Sequence, residues 1–273
     1  MKTIILHSYK GGTGKTTIAL NIAIGFAKKG YKTLAIDADL NAPTFESIFT
    51  GLKPKYKFND LFEMQKMKAK SYTDKNAELN PPTPKDLPVK SLIHENLDLI
   101  FANSKPQFGV GLLSMDKNFH AEALKRLYNA KSEFEKLGYD YLIIDTSPSL
   151  NLASINSIII ADASLIVLRP NKYGIAGTTF LLKELYSMLG TVKRKDYIIF
   201  NQIVVGTPEK LVTQWQKHFK KRLGVETVGT IHCNCGIALN MLFGNLIIED
   251  DTENEFLVAI DKIIKKLHHD LKN

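Results

Sequence analysis

The sequence predicts an α/β protein built on a mostly parallel β-sheet with helices on both faces. Three observations predict it. Short apolar runs alternate with helix-length patterns almost throughout the chain. Several of those runs are apolar at every position, as strands covered on both faces must be. A glycine-rich segment at residues 10–17 separates the first apolar run from the first helical pattern. In an open sheet of this kind ligands bind at the carboxyl ends of the strands, which is where that segment falls.

The expected strands are residues 3–6, 33–36, 97–101, 141–144, 165–168, 197–200 and 228–231. Between the first two, residues 16–29 place Ile18, Ile22, Ala23 and Phe26 on one helical face and stop at Gly30. Residues 121–137 stop at Gly138 in the same way. Asn59 is a good N-cap for a helix over 60–70, with Leu61, Phe62 and Met64 apolar. Residues 71–90 then run polar and proline-rich through Pro81, Pro82 and Pro84, a surface excursion rather than a domain boundary. Residues 1–273 are accordingly expected to form one domain. At the end of the chain Phe256, Ile260, Ile263, Ile264, Leu267 and Leu271 form one apolar stripe. A packed helix and a membrane-surface helix share that pattern. The stripe has no tryptophan, and its one phenylalanine opens the helix, which favours packing.

The chain has 273 residues, 44% hydrophobic and 23% charged, enough to bury a sizeable core. The longest apolar region, 158–168, is interrupted by Asp162 and is too short to span a bilayer. The glycine-rich segment begins at residue 10, which leaves no room for a leader, so the expected location is cytoplasmic. Cys233 and Cys235 are the only cysteines. One residue apart, they would close a strained ring, and with His232 they fall short of a tetrahedral metal set. They are expected to be small loop residues. The net charge of +8 is uneven. Lys193, Arg194 and Lys195 (193–195) and Lys217, Lys220, Lys221 and Arg222 (217–222) make a basic stretch, against five acids within 249–255. Such asymmetry suits either an anionic partner or a solvated lysine face.

The chemistry concentrates in Lys10-Gly11-Gly12-Thr13-Gly14-Lys15-Thr16-Thr17. A phosphate-binding loop ordinarily reads G-x-x-x-x-G-K-[ST], and here Tyr9 stands where its first glycine would be. Gly11, Gly12 and Gly14 let the backbone curl around phosphates, and the helix that follows presents its N–H groups to their charge. Lys15 is placed for the β- and γ-phosphates, Thr16 for Mg²⁺ and Thr17 for the α-phosphate. Mg²⁺ needs further oxygens. Asp145 ends one hydrophobic strand, while Asp37 and Asp39 lie at the end of another with both side chains on the same side.

The triplet Lys10-Gly11-Gly12 ahead of Gly14-Lys15-Thr16 resembles the deviant Walker A motif of the ParA/MinD family of P-loop ATPases. The segment Asp37-Ala38-Asp39-Leu40-Asn41-Ala42-Pro43 is similar to that family's switch I, and residues 139–150 to its Walker B and switch II. Asn201 matches an adenine-contacting asparagine of the MinD side. Residues 231–235 fall where the family has an adenine-flanking loop, with His232 in place of its usual proline.

The resemblance implies an ATP-dependent dimerising switch that binds Mg²⁺ and hydrolyses ATP to ADP and phosphate. In such a switch Lys15 serves the chain's own nucleotide and Lys10 the nucleotide of a second copy. Asp39 places the attacking water, and Thr16, Asp39 and Asp145 are the metal-side residues. Nucleotide contacts run from Lys10 through Thr17 and include Asn201. Implied partners are a second copy, a hydrolysis-stimulating adaptor protein and nonspecific DNA held by the basic stretch. A membrane-surface regulator and an ATP-using small-molecule enzyme are the alternatives. The family's cluster carriers use C-x-x-C, which Cys233 and Cys235 do not form, and its tyrosine kinases carry a terminal tyrosine cluster absent from 259–273.

Overall fold

Strand β1 (Lys2–His7) lies at the middle of an eight-stranded sheet and leads directly into the glycine-rich loop. The computed structural model describes residues 1–62, 82–103, 117–148, 150–189, 193–243, 245 and 254–272. Helix α1 (Lys15–Lys28) follows the loop and returns to β2 (Thr33–Ala38). After the short α2 (Phe45–Ile48) and a 3₁₀ turn at Pro84–Asp86 come β3 (Val89–Lys90) and β4 (Leu97–Ile100). Then α3 (Lys117–Lys136), β5 (Tyr141–Thr146), α4 (Leu152–Ile160) and β6 (Ala163–Leu168) alternate. Helix α5 (Lys172–Phe180) runs on through wider π turns to Tyr186 and leads toward β7 (Lys195–Ile203). The remaining elements are α6 (Glu209–Leu223), β8 (Glu226–His232), α7 (Cys235–Leu242) and α8 (Glu255–Lys272).

The strand order is β3-β4-β2-β5-β1-β6-β7-β8, and every pairing but β3 with β4 is parallel. Every residue of β2, β5 and β6 is buried, which explains their unbroken apolar runs. All seven expected strands are present. Gly30 and Gly138 close α1 and α3 with φ of 87° and 83°, a left-handed turn open to glycine without strain.

Two expectations need correction. The excursion is shorter than the sequence suggests, because its last part folds back onto the sheet. Thr83 caps the 3₁₀ turn, Leu87 is buried, and Val89–Lys90 pairs antiparallel with β4 as an edge strand. Two residues are too few to show any period. Residues 63–70 of the expected helix, 71–81 of the excursion and the acids at 249–253 lie outside the described residues. The second correction concerns α1. Beyond its expected face, Ala19, Leu20, Ile24 and Ala27 are also buried, because α8 packs beside α1 on the same face of the sheet, against β8 and the flank of α1.

The whole C-terminal stripe is buried: Phe256, Ile260, Ile263, Ile264, Leu267 and Leu271. Two glycines let α8 sit this close. A Cβ on Gly25 would lie 2.3 Å from Ile264 Cδ1, and one on Gly229 would lie 2.6 Å from Ile263 Cδ1. The hydroxyl of Tyr197 donates to Asp270 Oδ2 at 2.7 Å, and Tyr31 and Tyr141 each meet a nitrogen of His268. In this fold the apolar face of α8 is core.

Ile263→Ala should therefore destabilise the protein by about 2–5 kcal/mol, the usual cost of emptying a fully buried branched site. Deleting residues 259–273 should yield aggregated chain. Chemical denaturation and gel filtration measure both, and a stable, soluble truncation would show that α8 is dispensable.

Candidate functional site

The parallel register sets the site. Leu6 of β1 lies beside Asp145 of β5, and Asp145 lies beside Asp37 of β2. The loop leaving β1 therefore passes the carboxyl ends of both acidic strands. Thr16, in the first turn of α1, donates to Asp145 Oδ2 at 2.5 Å. Lys15 is buried at 7% exposure, whereas Lys10 is exposed. Gly12 and Gly14 adopt φ of 71° and 86°, which glycine takes without strain.

Three aspartates converge, but they do different work. Asp37 is fully buried, and its oxygens accept backbone N–H groups: Asp39 at 3.1 Å, Thr44 at 2.8 Å and Phe45 at 3.0 Å. It builds the turn into α2. Asp39 lies just beyond β2. Its Oδ1 accepts from Ser147 Oγ at 2.8 Å and from the backbone of Asn41 and Ala42 at 3.1 and 3.0 Å. That carboxylate joins the segment after β2 to the segment after β5. Asp145 is buried, and its Oδ1 has no hydrogen-bond partner among the described residues.

Charge in this dry place is poorly compensated. Burial pushes Asp145 up to about 6, against the pull of Lys15 and Thr16. Asp37 is pushed up to about 7, first by burial and then by the carboxylate of Asp145. An unpaired carboxylate oxygen beside a threonine hydroxyl is a hard-oxygen donor set, and it fits Mg²⁺. Among the described residues no three His, Cys, Asp or Glu side chains form a metal cluster, so the remaining ligands would be water and phosphate oxygens.

On the other side of the loop, a cavity of about 390 Å³ runs from Gly14 and Thr17 past Asn201 to residues 231–235. Asn201 donates from Nδ2 to the carbonyl of Thr13 at 2.7 Å. A Cβ on Gly14 would meet that same nitrogen at 2.4 Å, so only glycine lets the loop and Asn201 approach this closely. Gln202 follows with φ 57°, left-handed for a residue with a side chain, where the β7–β8 pairing is irregular. Backbone strain of this kind typically costs about 1–3 kcal/mol, and it marks where the surroundings dictate the conformation. Arg169, which with Pro170 follows the 165–168 strand in the order of the family that the sequence resembles, and Gln202, which nothing in its sequence neighbourhood singles out, also line the cavity.

Lys10 points elsewhere. Its ammonium stands 5.4 Å from the ring centroid of Tyr173, across a second cavity of about 210 Å³ between the loop and α5. Asn171 fixes the start of α5 by accepting from Gly174 N at 2.8 Å. Tyr9 lies flat against Gly177, where a Cβ would fall 2.2 Å from its ring. Beneath the loop, His7 contacts Thr146 at 2.9 Å; burial, then Lys15 and Arg194, holds it down to about 3, so it stays neutral.

The basic stretch is divided. Arg194 is withdrawn, with its side chain 4% exposed, pairing with Asp196 at 2.7 Å and lying over the ring of Tyr186. Lys195 donates to the carbonyl of Asp270. Lys193, Lys217, Lys220, Lys221 and Arg222 remain exposed. They gather at the amino ends of the strands, opposite the loop, because β7 starts there and α6 runs back to the start of β8. No helix among the described residues is long and apolar enough to cross a membrane.

Comparison with known proteins bears on the whole assembly. A family model described as an AAA domain matches residues 1–198. An uncharacterized protein of Methanocaldococcus jannaschii is 34% identical over 190 residues, 67% of this chain and 64% of that protein. The chromosome partitioning protein ParA of Myxococcus xanthus is 29% identical over 186 residues, covering 66% of this chain and 56% of its own length. The chain thus spans less than two thirds of either relative. Among solved structures, the septum site-determining protein MinD of Pyrococcus horikoshii, complexed with Mg-ADP, superposes with a TM-score of 0.71 at 18% identity. That superposition covers 97% of this chain and 95% of the other, and at such identity it shows a shared fold. With a family match reaching from the first strand to the middle of β7, the chain belongs to the AAA domain family and is a ParA/MinD-like P-loop ATPase.

Proposed function

We propose that the protein is a single-domain, ATP-dependent dimerising switch that hydrolyses ATP to ADP and phosphate. One observation carries the reading. The two lysines of the loop are differently placed: Lys15 is buried beside Asp145, and Lys10 is exposed and turned toward Tyr173. A lysine that leaves its own loop is available to the phosphates of a second copy. Phosphoryl transfer to water asks for positioning and charge neutralisation more than covalent chemistry. Lys15 and the backbone N–H groups of residues 11–17 hold the chain's own triphosphate, with Gly14 and Thr17 turning the nucleoside toward Asn201. Thr16 and the open Oδ1 of Asp145, with Asp39 nearby, would hold Mg²⁺, which would supply positive charge at the phosphate oxygens. The Mg-ADP in the Pyrococcus MinD structure supports that pairing of nucleotide and metal. Asp39 Oδ2 has no partner among the described residues and is the atom assigned to orient the attacking water.

DNA is the anionic partner we assign to the basic pole, on the exposed cluster at Lys193, Lys217, Lys220, Lys221 and Arg222. An adaptor that stimulates turnover completes the scheme. The burial of the α8 stripe speaks against a membrane-surface role for that helix.

Three substitutions test the switch, and a fourth experiment tests the DNA surface. Lys15→Ala should weaken ATP binding roughly 100-fold, the loss of one strong charge-assisted interaction. Lys10→Ala should bind ATP normally yet fail to dimerise with it; light scattering reads the difference, and a normal dimer would end the trans role of Lys10. Asp39→Ala should slow turnover roughly 100-fold and accumulate a long-lived ATP dimer. Unchanged turnover there would remove Asp39 from the chemistry. For DNA, ATP-dependent retardation in a low-salt mobility-shift assay should vanish when Lys217, Lys220, Lys221 and Arg222 become alanine. Removing one lysine–phosphate ion pair should flatten the log–log salt slope by about 0.9. Retardation unaffected by the four alanines would move the DNA surface elsewhere.

A further inference from the structure

The chain has two cysteines in 273 residues, and both border the same cavity. Cys233 and Cys235 are exposed free thiols on the wall of the 390 Å³ cavity that opens at Gly14 and Thr17. That neither is elsewhere in so long a chain gives this wall a chemistry found nowhere else on the surface. Their backbone is fixed. Cys233 N donates to the carbonyl of Ile203 at 2.8 Å, which ties this segment to the end of β7. Asn234 Oδ1 accepts from Gly236 N at 2.8 Å and Ile237 N at 3.2 Å, which sets Cys235 as the first residue of α7. The thiols are thus held beside the position that the phosphate loop assigns to the nucleoside, and they are reachable from solvent.

From this placement we infer that Cys233 and Cys235 form a covalent modification site, at which a low-molecular-weight disulfide closes the base cavity to nucleotide. The inference rests on the reading of that cavity as the nucleoside site. The cavity lies at the small end of the roughly 300–1,000 Å³ range that holds one ligand, so a tripeptide-sized adduct and a nucleoside exclude one another. The step is thiol–disulfide exchange. The cysteine sulfur, as thiolate, attacks one sulfur of the reagent and a new S–S bond forms. The reagent's own S–S bond breaks, and its other half departs as a thiolate that takes up the proton the cysteine gave up. The reagent is the oxidant, and excess free thiol runs the exchange backwards. A bridge between Cys233 and Cys235 themselves would have to close across a single intervening residue and strain its geometry, so the mixed disulfide is the product. Nucleotide binding and thiol modification then compete for one space, and ATP occupancy protects the thiols.

The full-length chain tests this without substitution. A fluorescent ATP analogue is titrated with Mg²⁺ into reduced protein, into protein treated with glutathione disulfide, and into treated protein restored with dithiothreitol. Intact mass counts the adducts, and circular dichroism follows the fold. The expected result is a loss of affinity of about 10-fold or more on modification, full recovery on reduction and an unchanged spectrum. Saturating ATP should also slow alkylation by N-ethylmaleimide by about 10-fold or more. Modified protein that binds the analogue as well as reduced protein, thiols that form no adduct, or alkylation indifferent to ATP would each overturn the inference and leave the nucleotide reading standing. Reduced protein that fails to bind the analogue would instead overturn the nucleotide reading, and the inference with it.

Discussion

Everything at the site depends on the parallel register of β1 against its neighbours. β1 sits between β5 and β6, with Leu6 level with Asp145 and His7 level with Ile166. Backbone hydrogen bonds fix those levels, and the side chains inherit them. A slip by one residue would turn Asp145 to the other face of the sheet and separate it from Thr16. Both faces of β2, β5 and β6 are covered, so a shifted pairing would carry the buried Asp37 and Asp145 away from the N–H and hydroxyl groups that they bond. Those polar positions fix the register within otherwise apolar strands. The phosphate loop is thus a consequence of the sheet, and the glycines only let the chain follow the path that the sheet imposes.

The charges at this end show why a cation belongs there. Burial raises the proton affinity of Asp37 and Asp145, Asp145 raises that of Asp37 further and Asp39 that of Asp145, while Lys15 answers only part of the charge on Asp145. Asp37 compensates by spending its oxygens on backbone N–H groups. Asp145 keeps one oxygen without a partner among the described residues, and that is the atom a metal would take. The sequence shows three acids near a loop; it does not show that one is structural, one bridges two segments and one is left open. That division follows from which N–H groups the turn after β2 brings within reach.

Much of the fold is legible in the sequence for a plain physical reason. Long, fully buried strands and helices closed by glycine write themselves as apolar runs and punctuation, and residues 3–6, 141–144 and 165–168 are of this kind. β3 does not, being two residues long, and the second buried side of α1 is invisible until α8 is packed beside it. The loop and its carboxylates are legible because they are local in sequence or end a strand. Asn201 comes from family resemblance. Gln202 and Tyr173 are not legible, since their placement depends on separate segments meeting at one end of the sheet. Arg194 misleads in the opposite sense: it reads as part of a basic stretch, yet Asp196 two residues on and the ring of Tyr186 take it out of solvent.

The loop and the exposed lysines lie at opposite ends of the strands, and this separation restricts how one end can inform the other. Six to nine residues of strand span roughly 20–30 Å. At physiological salt the field of an exposed charge decays over about 8 Å. Whatever charge is gained or lost at the phosphate end is therefore almost unfelt at the lysine end of the same molecule. A ligand held by those lysines would sense nucleotide state only mechanically or by number, through rotation of the rigid sheet or through two copies presenting two lysine clusters together. Under the proposed dimerising switch, such a device would count molecules instead of sensing charge, and its response to nucleotide would depend on protein concentration.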